Sequence, residues 1–124
     1  MFTDTKAFSG FSVDDIDKAA QFYGDVLGLR VTAQDGILQL HVTGNDQPIF
    51  VYPKGAQHEP ASFTILNFPV ADVDAAVELL TAKGITFERL PDTDEKGIMR
   101  DNGPTIAWFK DPARNWLSVI GVEV

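Results

Sequence analysis

His41 and His58 are the only two imidazoles in a chain of 124 residues, and no cysteine accompanies them. That inventory closes several chemistries at once. Without thiols there is no thiolate nucleophile, no disulfide, no Cys-ligated zinc and no iron–sulfur cluster, so any metal would have to be held by His, Asp, Glu or Gln. No glycine-rich phosphate loop, HExxH pair or GxSxG elbow occurs, which leaves P-loop, zincin and serine-hydrolase mechanisms without support. His41 lies in the alternating run Ile37 to Val42, where Leu38, Leu40 and Val42 point to one side and Gln39 and His41 to the other. On that side His41 either lines a cavity or bonds a neighbouring strand. His58 and Glu59 stand in a Pro- and Gly-containing stretch that reads as a solvated loop. Trp108 and Trp116 each offer a stacking face and an N–H donor, and are either ligand contacts or core.

The charge balance narrows the partners. Ten Lys and Arg against eighteen Asp and Glu give a net charge of −8, which repels phosphate backbones and anionic lipid and would suit a cationic ligand. Nucleic acid and membrane are therefore not expected as partners. Hydrophobic residues at 44% and charged residues at 23% are the proportions of a globular domain with a core, so residues 1–124 are expected to form one domain. No apolar run approaches the ~18 residues of a membrane span, and the first residues lack a signal-peptide pattern, so a cytoplasmic protein is expected.

These groups must be positioned by elements, and the elements come in two sets. The segment Phe11 to Ala20 can be laid on Phe68 to Val77 at a constant offset, with Phe, Val, Asp, Asp and Ala coinciding. In each copy an apolar strand leads through an acidic turn into an amphipathic helix. Asp15 or Asp17, and Asp72 or Asp74, stand where a carboxylate caps free backbone N–H groups. Ile16, Ala19, Ala20, Tyr23 and Leu27 recur at helical spacing, as do Val73, Ala76, Val77 and Leu80, while Gly28 and Gly84 stop the helices. Strands are then expected over 29–32, 37–42 and 48–52 in the first copy, and over 85–89, 105–109 and 116–122 in the second. The fold class is therefore α+β: two tandem βαβββ modules, 6–53 and 62–124, joined by a linker at 54–61. The polar stretch 91–103 is a solvated loop or a lid that brings Met99 and Arg100 to a ligand.

Strand parity sorts the candidate pocket. If Phe11 and Val13 face the helix of the first copy, Phe8, Gly10 and Ser12 face away, and if Leu66, Phe68 and Val70 face the second helix, Ile65, Asn67 and Pro69 face away. The expected lining is apolar and aromatic with a few neutral polar groups: Phe8, Ser12, Phe50 or Tyr52, Ile65, Asn67, Trp116 and Ser118, with Gln39, His41 and Trp108 nearby. That composition suits a flat or amphipathic small molecule, or else a closed core.

The run from Phe11 to Leu29, with FYGDVLGL at its end, its copy beginning at Phe68, and Phe109-Lys-Asp-Pro-Ala-Arg-Asn-Trp before the last strand resemble the vicinal oxygen chelate superfamily. That superfamily includes glyoxalase I, bleomycin- and fosfomycin-resistance proteins and extradiol dioxygenases. The resemblance implies that each module curls into a curved mixed sheet or half-barrel with its helix outside, and that paired modules enclose a ligand cavity. It also implies metal-ligand positions at Phe8 and Ile65 in the first strands, and at Ser118 and about Tyr52 in the last. Those side chains do not form a ligand set for a divalent ion, so the expectation is a protein that has lost the metal site, uses no cofactor and binds a small, partly aromatic molecule. One alternative is a glyoxalase-like lyase, isomerase or dioxygenase working through His41, Tyr52 or a loop acid; another is a dimeric interaction module using apolar residues such as Trp108. The family's habit of pairing across strand edges implies a homodimer.

Overall fold

A computed structural model describes residues 1–122, and the chain divides into two compact units, Met1–Pro60 and the part that begins at Ala61. In the first unit the order is β1 (Gly10–Val13), α1 (Ile16–Gln21), a π-helical turn (Phe22–Val26), β2 (Arg30–Gln34), β3 (Ile37–His41), β4 (Ile49–Pro53) and a short 3-10 turn (Gly55–Gln57). The four strands form one sheet in the order β1-β4-β3-β2, with β1 parallel to β4 and the remaining pairs antiparallel. The second unit repeats the plan with β5 (Thr64–Val70), α2 (Val73–Ala82), β6 (Ile98–Met99), β7 (Ile106–Lys110) and β8 (Trp116–Gly121), in the order β5-β8-β7-β6. Both sheets are mixed and open, and each has its helix on one face. The βαβββ plan is thus present twice.

The helices form where the acidic turns place them. Asp15 has extended backbone and its carboxylate accepts from the N–H groups of Asp17 and Lys18 at 3.0 and 3.1 Å. Asp72 does the same for Ala75 at 3.0 Å. Each satisfies donors that the first helical turn leaves without intrahelical partners. The two helices end differently. At the end of α2, Gly84 takes a φ of 95° and Ile85 N–H returns to the Leu80 carbonyl, which is the Schellman closure. After α1 the ladder widens instead, so that Leu27 N–H reaches Phe22 and Leu29 N–H reaches Tyr23. That widening turns Phe22 and Tyr23 inward, Tyr23 being fully buried with its ring centroid 5.1 Å from Phe22 and 5.8 Å from Phe11.

Alternation then divides each sheet into two sides. Val13, Leu38, Leu40, Ile49 and Val51 are buried on the side that α1 covers by packing on β3 and β4. Phe109, Ala107, Ile98, Leu117 and Val119 are buried in the second unit, where α2 packs on β7 and β8. Removing this apolar surface from water is the principal stabilising term for both units, at roughly 25 cal/mol per Å² buried.

Two expectations about the second unit are corrected. Residues 85–89 form no strand, although Ile85 and Phe87 are buried, and the strand that borders β7 is β6, inside the stretch 91–103 read as solvated loop or lid. The reason is competition for one edge. Ile98 and Met99 pair with Ala107 and Ile106, leaving room for a single further bond from Glu88 N–H to the Trp108 carbonyl at 2.8 Å. Phe8 likewise precedes β1, which begins at Gly10.

The Asp111-Pro-Ala-Arg-Asn115 turn between β7 and β8 is a buried hydrogen-bonded knot. The Asp111 carboxylate accepts from Asn115 N–H at 2.8 Å and from its side-chain amide at 3.1 Å, and Asn115 Oδ1 accepts from Ala61 N–H at 3.1 Å. Arg114 takes a φ of 70° to close the turn. The motif therefore ties the entry of β5 to the β7–β8 connection, a structural and not a chemical use of Asp and Asn.

Candidate functional site

The helix-free side of each sheet carries the side chains with chemistry to offer. In the first unit the register sets Gly10 beside Phe50, Ser12 beside Tyr52, Gln39 beside Phe50 and Thr32 beside Gln39. Ser12, Gln39, His41, Phe50 and Tyr52 therefore share one face, together with Thr32 and Arg30. Phe8 joins them through its ring, 4.6 Å centroid to centroid from Phe50. Phe8 and Tyr52 are 61% and 42% exposed, a large aromatic area left in contact with water.

The polar groups on that face are connected. Thr32 Oγ1 donates to Gln39 Oε1 at 3.1 Å and lies 2.8 Å from His41 Nε2. A hydroxyl has one proton, so with it on Gln39 the imidazole donates through Nε2. His41 thus bonds a neighbouring strand while standing on the candidate face. Ser12 Oγ lies 2.7 Å from His58 Nδ1. The residue read as part of a solvated loop is half-buried and engaged with β1.

In the second unit Asn67, Ser118 and Trp108 stand in register across β5, β8 and β7, and Lys110 stands beside Trp116. Ser118 is fully buried and its hydroxyl donates to Asn67 Oδ1 at 2.5 Å. The ammonium of Lys110 sits 4.5 Å from the centre of the Trp116 ring and 3.7 Å from Glu88. A bulge falls between Thr64 and Leu66, so Ile65 has no partner of its own and Thr64 pairs with Trp116. Thr64 Oγ1 accepts the indole N–H of Trp108 at 3.1 Å. Simple alternation puts Ile65 on this side and misses Thr64, because an inserted residue shifts parity and no sequence signal announced it. Arg30 and Lys110 were also missed; their position on the strands, two residues from Thr32 and Trp108, was the available signal.

The perturbed ionisable groups lie elsewhere, around Arg100. Its guanidinium bonds both carboxylate oxygens of Asp74, at 2.7 and 3.0 Å, and Asp94 at 3.1 Å. Asp74 is held below the usual carboxylate range chiefly by the Arg100 hydrogen bonds. Asp94 is lowered chiefly by the Ile98 backbone N–H, with Lys96 N–H and Arg100 adding to it, and Arg100 itself is raised by Asp74 and then Asp94. Its charged end is thus bound to the first turn of α2 and to its own loop.

The donor set does not fit a divalent metal. Phe8 and Ile65 have no lone pair to offer, and Ser118 brings only a neutral hydroxyl, a weak ligand for a divalent ion. The repeat aligns Asn67 with Gly10, and Gly10 pairs with Phe50, so Phe50 and not Tyr52 is the counterpart of Ser118. Among the described residues no three His, Cys, Asp or Glu side chains converge on a common point. No helix of the described residues is long and apolar enough to cross a membrane.

Two βαβββ units with helix-free faces of this kind define a class of protein, and comparison with known proteins bears it out. Residues 8–119 match the model of the Glyoxalase/Bleomycin resistance protein/Dioxygenase superfamily, and the chain belongs to that superfamily. The uncharacterized protein YraH of Bacillus subtilis is 25% identical over 120 residues, spanning 86% of this chain and 90% of YraH. Among solved structures, TnmS3, an antibiotic binding protein from Streptomyces sp. CB03234, superposes with a TM-score of 0.71 at 24% identity, covering 98% of this chain and 99% of that one. The fosfomycin resistance protein FosX from Mesorhizobium loti gives a TM-score of 0.66 at 13% identity, covering 98% and 94%. At these identities the structural likenesses establish the fold.

Proposed function

We propose that this chain is a small-molecule-binding member of the superfamily that works without a metal and holds a partly aromatic ligand on the helix-free faces of its sheets. The observation that carries the reading is the identity of the side chains at the superfamily's ligand positions: Phe8, Phe50, Ile65 and the buried Ser118. Around them stand aromatic rings, Phe8, Phe50, Tyr52, Trp108 and Trp116, and neutral hydrogen-bonding groups, the mixture that stacks and orients a flat molecule. The likeness to an antibiotic binding protein agrees with this reading. We further propose that the chain is a cytoplasmic homodimer, as the superfamily's habit of pairing across strand edges suggests; sedimentation as a monomer at micromolar concentration overturns that part.

Elemental analysis of protein purified without chelators tests the central claim. The expected result is substoichiometric zinc, iron, nickel and manganese, with the thermal midpoint unchanged on adding a chelator. Stoichiometric metal that is lost in His41→Ala overturns the proposal and returns the chain to the metal-dependent lyases and dioxygenases.

A further inference from the structure

The placement of charge selects among aromatic ligands. Eighteen residues are acidic, yet among the described residues none lies in a strand; the described carboxylates are in turns, helices and connections. The strands carry two permanent cations, Arg30 in β2 and Lys110 in β7. Register puts both on the helix-free sides, Arg30 beside His41 and Lys110 beside Trp116. Lys110 shares its charge with Glu88 at 3.7 Å, whereas Arg30 is exposed and forms no ion pair among the described residues.

We infer that the ligand held on these faces is a planar aromatic anion, an aromatic carboxylate in the simplest case, and not the cation that a net charge of −8 suggests. This rests on the reading given under Proposed function. The physical argument is local. A cationic ring system laid against Phe8, Phe50 and Tyr52 would shed water and meet no carboxylate borne by the strands of that face, and the desolvation would go uncompensated; beside the second face the Glu88 carboxylate is engaged by Lys110 at 3.7 Å. An anion there meets the Arg30 guanidinium on one face. On the other it meets Lys110 and the Asn67 amide, whose nitrogen keeps two N–H donors while its oxygen accepts from Ser118. The acidic remainder of the surface acts over distances that salt screens within about 8 Å at physiological strength. It slows the encounter of an anion without reversing the preference at the face.

The test uses one ring with two charges. Binding of 9-anthracenecarboxylate and of 9-(aminomethyl)anthracene to the full chain is measured at neutral pH and low salt by calorimetry and by quenching of tryptophan fluorescence. The carboxylate is expected to bind roughly five- to tenfold more tightly. Arg30→Gln, at an exposed edge-strand position, should remove much of that margin, and Lys110→Gln part of it, with circular dichroism confirming that both variants fold. Equal or tighter binding of the ammonium overturns this inference alone, as does a margin that survives both substitutions. Binding of neither probe overturns the pocket reading with it. If Phe8 and Tyr52 are then found protected in a self-associated form, a second copy of the chain is the occupant.

Discussion

The same repeat closes its sheet in two ways. In the first unit β2 runs beside β3 for five residues, and Asp35-Gly36 joins them in a tight turn. In the second, the corresponding edge of β7 is divided between the two residues of β6 and one bond from Glu88, and the connection between them is long and polar. The first unit satisfies its edge with regular pairing; the second has a connection that must be tied down by side chains. Hence the clamp of Arg100 on Asp74 and Asp94 and the bonds from the Lys96 and Ile98 N–H groups to the Asp94 carboxylate at 2.9 and 3.0 Å; the β7–β8 turn of the same unit adds the buried knot of Asp111 and Asn115. Where a repeat loses continuous strand pairing, specific polar contacts take over the positioning.

The largest effect is expected at the knot. Asn115→Ala removes an amide that is 2% exposed and leaves the Asp111 carboxylate and Ala61 N–H short of partners. A loss of about 2–4 kcal/mol is expected from denaturant titration, because a buried network is broken and not merely shortened. Hydrogen exchange should rise in peptides from residue 61 onward more than in 1–60; a uniform rise would erase the distinction between the units.

Gly97→Ala comes next. Gly97 has a φ of 83°, and a Cβ there would stand 2.9 Å from the Glu88 carbonyl oxygen, so backbone has to move. Gly36, in the tight turn of the first unit, has a φ of 78° but open space around it. The expected cost is about 2–3 kcal/mol at Gly97 and about 1 kcal/mol at Gly36, the excess measuring how closely 97 packs on the 85–89 segment. Equal melting shifts for the two variants would show that this packing contributes nothing.

The smallest effect is that of the Arg100 clamp, which is exposed to solvent. Its carboxylates are lowered in the folded state, so the stabilisation is complete above their unfolded range and lost as pH falls through the folded values. Arg100→Gln should therefore melt below the parent protein at neutral pH by a small margin that shrinks on acidification, measured by thermal scans at fixed ionic strength. A margin that grows toward acid reverses the sign and removes the clamp from the account.

How far the site could be read from the residues depends on what kind of signal each one carries. Gln39 and His41 were placed on one face by simple alternation in a strand of five residues, and Leu38 and Leu40 on the other. The same rule failed at Ile65, where a bulge breaks the period and brings in Thr64. His58 could not be found at all: its partner Ser12 is 46 positions away, and a bond between distant segments leaves no local pattern. Residues 85–89 are β-rich yet form no strand, because 98–99 takes the same edge of β7.

Local physics is enough to read several features from the residues alone: two helices begun by Asp15 and Asp72, their glycine stops, the βαβββ order repeated twice, and the absence of thiol chemistry. These depend on backbone donors, periodicity and composition within about ten residues. Only tertiary contacts set which residues border β7, that Phe50 is the counterpart of Ser118, and that Asn115 in the β7–β8 turn holds Ala61 at the entry of β5. Each of these is a matter of register and of contact between segments remote in sequence, where the energy lies in pairs of groups and no single position records the pair.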